Sequence, residues 1–162
     1  MSTYFETLNE TEITALKDAF VYITVMVAGA DGHIGINEIE EAEHTIKVRG
    51  YEANNLFHLF YDEIYKDFKV KVESTRDLNG IGEESNIIYA EKLSAVNPIL
   101  AKLPHNIARH LYKDLLSFSH RIANAEGGVL GFRKVGSEEQ KVYNLPMIEK
   151  ISPTDEEKEE VL

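Results

Sequence analysis

Cysteine is absent from this chain of 162 residues, proline occurs only four times, and no apolar stretch is long enough to cross a bilayer. Without thiols, disulfides and thiolate metal sites are excluded, and the composition suits a reducing cytosol. Few prolines and 43% hydrophobic residues argue for a folded chain rather than a disordered one. The length fits a single domain with a sizeable core. The longest largely apolar run, AFVYITVMVAGA at residues 19–30, is well short of the roughly 20 residues that a spanning helix needs. It also lacks the basic flank and small-residue cleavage site of a signal peptide. A soluble, cytoplasmic protein with no transmembrane segment is expected.

Basic residues are scarce where the acids are dense. Residues 1–43 hold nine acids and one base, Lys17, and residues 152–162 hold five acids and one base, within a net charge of -11. Nucleic acid is therefore not expected as a partner, because neutralising phosphates needs clustered Lys and Arg. An acidic surface suits cations or a basic protein partner, or serves simply as a solvated face that keeps the chain in solution.

Helical periodicity runs through the rest. Ile13, Leu16, Phe20, Ile23, Val27 and Ala30 recur at steps of three and four, with Asn9 and Glu12 spaced as a capping box. Gly29 and Gly32 bracket the end of this first helix. A second helix is expected from Asn37, with Asn37 as its cap, to Gly50 as its stop. A third is expected from Asn54 to about Phe68, with KVKVE (residues 69–73) as its tail or a loop, since a lone strand would have nothing to pair with. DLNGIG, residues 77–82, reads as a loop; no buried strand precedes its glycines, so it is a poor nucleotide-binding fingerprint. The stretch from residue 83 to 103 reads as helical and interrupted at Pro98, and Pro104 suits the start of another long helix. There Ile107, Leu111, Leu115, Phe118, Ile122 and Ala125 mark one face. A last helix is expected after Ser137, capped with Gln140, before an acidic tail at 152–162.

A shift of 95 residues lays LKDAFVYITVMVAGADGHI (16–34) on LYKDLLSFSHRIANAEGGV (111–129). The shared ending, Ala-x-Ala-acid-Gly-x-aliphatic, sets the register independently of the apolar stripe, and an internal duplication follows. Halves of about 10–70 and 83–151 would pack about a pseudo-twofold into one domain at residues 1–151, because neither half covers its own apolar face. The expected class is all-α, a compact bundle.

An apolar helix that ends in ADGHIGINE, residues 30–38, and returns later as AEGGVLGFRKVGSEE, residues 125–139, resembles the TerB-like (tellurite resistance protein B) family. The likeness runs from about residue 10 to residue 150. It implies a cytoplasmic all-α bundle of about seven helices without established catalysis, linked to tellurite resistance and chemical-stress response, whose acidic turns are candidate divalent-metal sites. On that pattern Asp31 and Glu38 are the metal candidates of the first copy. In the second, Glu126 stands in place of Asp, and the counterpart of Glu38, Glu138 or its neighbour Glu139, is displaced by a longer loop.

The residues themselves leave the acidic turn open to several uses. As an EF-hand it fails: Gly32, Ile34 and Glu38 fit positions 6, 8 and 12 of that loop, but Val27 and Gly29 then fall where oxygen ligands are required. Asp31 and Glu38 can converge on a cation across the turn, cap backbone amides at the start of the next helix, or meet a protein partner. Glu41 and His44 have the Glu-x-x-His spacing of di-iron carboxylate bundles, but the chain has no second copy and the pair is expected to face solvent. His58 lies among the aromatics Phe57, Phe60 and Tyr61, and His120 is expected to be a partly buried packing residue. His105 and His110 are too far apart around a helix to act together. No nucleophile stands near a base at a spacing that marks catalysis, so a non-enzymatic protein is expected. A structural interaction module and a carboxylate-metal enzyme are the alternatives.

Overall fold

Asn9 starts the central helix as its spacing predicts. Its side-chain oxygen accepts from the Glu12 amide at 2.9 Å, and the Glu12 carboxylate accepts from the Asn9 amide at 3.0 Å. The structure, a computed structural model, describes residues 3–52, 56–125, 142–155 and 158. Among these a single 3-10 turn at Thr3–Phe5 precedes seven helices: α1 (Glu10–Ala28), α2 (Ile36–Tyr51), α3 (His58–Tyr65), α4 (Phe68–Asn79), α5 (Glu83–Ser94), the one-turn α6 (Asn97–Leu100) and α7 (His105–Ala125). No strand occurs among the described residues. The class is all-α.

α1 is more deeply enclosed than a one-face stripe implies. Every residue from Phe20 to Ala28 except Tyr22 is buried, because α2, α3, α4, α5 and α7 all pack around it. A helix that is apolar on all sides belongs in the middle of a bundle. Its one buried hydroxyl, Thr24, donates to the Phe20 carbonyl at 2.8 Å. Around Phe20 the rings of Phe60, Tyr61 and Phe118 meet it edge-on at 5.2–6.2 Å, and Phe5 stacks on Phe57 at 5.6 Å.

Three sequence expectations are corrected. α2 begins at Ile36 after Gly35, so Asn37 lies inside the first turn and is not the cap. Nor does Gly50 stop the helix, which continues to Tyr51. Gly50 is needed for close packing, since a Cβ there would lie 3.2 Å from the Asp62 backbone nitrogen and 3.3 Å from its Cα. The third helix is two: α3 ends at Tyr65 and α4 starts at Phe68, carrying KVKVE within it. As a helix that stretch buries Phe68 and Val72, four apart on one face, and leaves Val70 outside. Lys71 on its flank reaches Asp18 of α1 at 3.1 Å.

The proline readings hold. α5 stops at Ser94, Pro98 sits in the first turn of α6, and the Pro104 carbonyl accepts from the Ala108 amide at 2.9 Å as α7 begins. α2 runs antiparallel to α7, with Glu41 facing Arg121 at one end and Arg49 reaching the Asp114 carbonyl at the other. Segment 142–151 lies across α6 and α7: Asn97 bonds the Met147 carbonyl and the Glu149 amide, each at 2.9 Å, and Ser119 donates to the Tyr143 carbonyl at 2.8 Å. Positions equated by the 95-residue shift, Leu16 with Leu111, Phe20 with Leu115, Ile23 with Phe118 and Val27 with Ile122, are all buried. The second acidic turn and the expected helix after Ser137 lie outside the described residues as far as residue 141.

Candidate functional site

The turn between α1 and α2 is built from glycines and two carboxylates. Gly29 ends α1 by donating to the Val25 carbonyl at 3.0 Å, and Gly32 closes the turn by donating to Gly29 at 3.0 Å. Gly32 has a φ of 83°, a conformation that side-chain-bearing residues seldom adopt. Asp31 Oδ1 accepts from the His33 amide at 3.0 Å, an Asx turn that holds this corner. Glu38 Oε2 accepts from the Gly35 amide at 2.9 Å, closing the start of α2. Glu38 is only 5% exposed, so this carboxylate faces the protein rather than open water.

Gly29 also has a packing reason to lack a side chain. A Cβ at that position would lie 2.9 Å from Ile81 Cβ and Cγ2, in the loop that joins α4 to α5. That loop turns on Gly80 and Gly82, with φ of 75° and 96°. Ser85 donates to the Asn79 carbonyl at 2.7 Å and Tyr89 to the Gly80 carbonyl at 2.7 Å. The glycines and Ser85 therefore shape a helix–helix turn.

Of the four metal candidates, Asp31 and Glu38 share one turn and each engages a backbone amide. Glu126 and Glu138 lie outside the described residues. Among the described residues, no three His, Asp or Glu side chains gather into a metal-binding group. Glu41 is drawn toward α7, with its Oε1 3.9 Å from Arg121 and 3.5 Å from the Thr45 hydroxyl, while His44 stays exposed. His120 is exposed rather than partly buried; Tyr143 meets its ring edge-on at 5.2 Å, and Asn144 lies 3.1 Å from its Nε2. The aromatics beside His58 belong to the core, as their spacing suggests.

A polar cluster elsewhere was not visible in the sequence. Tyr61, fully buried on α3, donates to Asp114 of α7 at 2.5 Å. Arg49, from the last turns of α2, donates to the Tyr61 hydroxyl at 3.3 Å, to the Asp114 carbonyl at 3.1 Å and to the Ser117 hydroxyl at 2.8 Å. Its guanidinium also lies over the Tyr61 ring, 5.3 Å from the centroid. Burial raises the Tyr61 pKa well above its ordinary value; the Asp114 charge adds to that and Arg49 opposes it. The cluster ties α2, α3 and α7 together. Its residues are 12 and 53 positions apart in the chain, and no local pattern links them.

A shallow cavity of about 280 Å³ lies between α6, the start of α7 and residues 149–151, lined in part by Leu100, Leu103, His105, Ala108 and Lys150. Among the described residues that line it there is no hydroxyl or thiol nucleophile. No helix among the described residues is long and apolar enough to cross a membrane. No family model matches the chain, and neither a curated protein nor a solved structure matches it.

Proposed function

We propose that this chain is a non-enzymatic, TerB-like helical domain of a cytoplasmic chemical-stress response, tellurite resistance among its candidate settings, and that it works by binding a protein partner through its acidic surface. Support comes from the Ala-Asp-Gly-x-Ile-x-x-x-Glu turn at residues 30–38 joining two helices of an all-α bundle. The observation that turns this reading from a cation to a partner is the bond from the Gly35 amide to the buried Glu38 carboxylate, which accounts for that acid as a helix cap and leaves the exposed acids of the surface for recognition. Each of these two carboxylates already holds a backbone amide on one oxygen, and a hard cation needs several oxygen ligands.

The second reading, a divalent-metal site on Asp31 and Glu38 with Glu126 and Glu138 as its counterpart, rests on the TerB-like likeness. Calorimetric titration of metal-stripped protein with Mg²⁺, Ca²⁺, Mn²⁺ and Zn²⁺ separates the two. The partner reading expects no saturable heat; saturable binding lost in the Asp31→Asn, Glu38→Gln variant would replace it with the metal reading. Growth of cells with and without the gene under tellurite and oxidant challenge tests the stress link, and equal survival under every challenge would remove it.

A further inference from the structure

The cavity between α6, the start of α7 and residues 149–151 has a wall that is fixed from outside it. Asn97 bonds the Met147 carbonyl and the Glu149 amide, and Leu145 and Ile148 just before that wall are buried. Residues 149–151 are thus held over the α6–α7 corner without filling it, and the space is formed before any ligand arrives. Its floor is hydrocarbon: Leu100, Leu103 and Ala108 are buried, and Ile151 is half-buried beside them. Asn97, the one side-chain amide of the described lining, is already engaged at both its oxygen and its nitrogen. At about 280 Å³ the cavity falls just under the roughly 300–1,000 Å³ of drug-sized sites, and suits a molecule the size of a single amino acid.

Groups of both signs border this floor. Glu149, Lys150 and His105 are exposed and belong to the lining, and among the described residues none of the three has an ion pair. Glu149 and Lys150 adjoin in the chain, yet they do not pair with one another. A hydrocarbon floor edged by an unpaired carboxylate and an unpaired ammonium is complementary to a zwitterion that carries an apolar chain. We propose that the cavity binds a free α-amino acid with an aliphatic side chain, of which leucine is the type. Glu149 receives its ammonium, Lys150 and the His105 ring receive its carboxylate, and the floor takes the side chain. An imidazole offers an N–H in either protonation state. A fatty acid would set its carboxylate beside Glu149, and an alkylamine would set its ammonium beside Lys150. The cavity shares no residue with the α1–α2 turn, so this binding is separate from the partner reading.

The test is an NMR titration of isotope-labelled protein with leucine, with isocaproate, which lacks the ammonium, and with isoamylamine, which lacks the carboxylate. Leucine is expected to give saturable amide shifts in the millimolar range, centred on Leu100, Leu103, Ala108 and residues 149–151. Both analogues are expected to bind about fivefold more weakly, the scale of one exposed charged contact. Glu149→Gln should weaken leucine about fivefold without weakening isocaproate, and Lys150→Gln should weaken leucine and isocaproate without weakening isoamylamine. Both positions are exposed, and Glu149→Gln keeps the backbone amide that bonds Asn97, so the fold is retained; matching unfolding midpoints check this. Lys69→Gln with Glu73→Gln, an exposed pair on α4, is expected to leave leucine binding unchanged. No saturable shift with leucine, or shifts centred away from the cavity, overturns the site. Isocaproate or isoamylamine binding as tightly as leucine, or leucine binding that both charge variants retain in full, overturns the zwitterion as its ligand.

Discussion

The two ends of α2 are held by different means. At its first turn, Glu38 reaches back three residues to the Gly35 amide, and Asp31 holds the preceding corner through His33. At its last turns, Arg49 reaches α3 and α7 through Tyr61, Asp114 and Ser117. The first end carries the signature that the sequence advertises, yet the bonds described there are short-range. The second end carries no signature and joins three helices. Residues that look like chemistry from their spacing can serve the local backbone, whereas residues that organise the bundle across long separations leave no periodic trace.

The largest effect is expected at the second end. Arg49→Met keeps the aliphatic stem but withdraws three donated hydrogen bonds and leaves Asp114 beside a buried phenol; a loss of about 2 kcal/mol is expected in urea unfolding. An unchanged midpoint would make the two ends equivalent and break the comparison.

The same cluster sets a pH dependence. Native Tyr61 favours its neutral form, so its contribution is fully present below the ordinary tyrosine value of 10.0. It is lost as pH rises from there through the raised native value, because the unfolded chain ionises first. Wild type should therefore lose stability above that pH more steeply than Tyr61→Phe, a difference that unfolding midpoints on either side of pH 10.0 would show. Parallel curves would remove Tyr61 from the account.

At the first end the effects shrink. Glu38→Ala removes the acceptor of the Gly35 amide and should cost about 1 kcal/mol, the usual worth of a helix-start hydrogen bond. Asp31→Asn keeps a side-chain oxygen for the His33 amide and should change stability by less than about 0.5 kcal/mol, since Asn forms the same turn. If Asp31→Asn proves costlier than Arg49→Met, the acidic turn and not the three-helix cluster is the main fastening of α2.

Much of the helical plan was legible because it is local. The Asn9–Glu12 box, the break at Pro98 and the start at Pro104 each depend on residues within a turn of one another. The misread boundaries are those that tertiary contacts decide. Gly50 looks like a stop until Asp62 is seen against it, and KVKVE alternates like a strand until Phe68 and Val72 meet the core. At the acidic turn the sequence named Asp31 and Glu38 and left their use open between capping, metal and partner. Burial of Glu38 and its bond to Gly35 favour capping; the bond is as local as the Asn9–Glu12 box, but the burial cannot be read from residue spacing.

The central claim, that Asp31 and Glu38 shape the turn rather than hold a cation, is tested most directly by urea unfolding of wild type and the Asp31→Asn, Glu38→Gln variant, with and without millimolar Mg²⁺ or Mn²⁺. The account predicts that neither cation moves either midpoint. A cation that stabilises wild type, by about 1.4 kcal/mol at roughly ten times its Kd, while leaving the variant unmoved would contradict it.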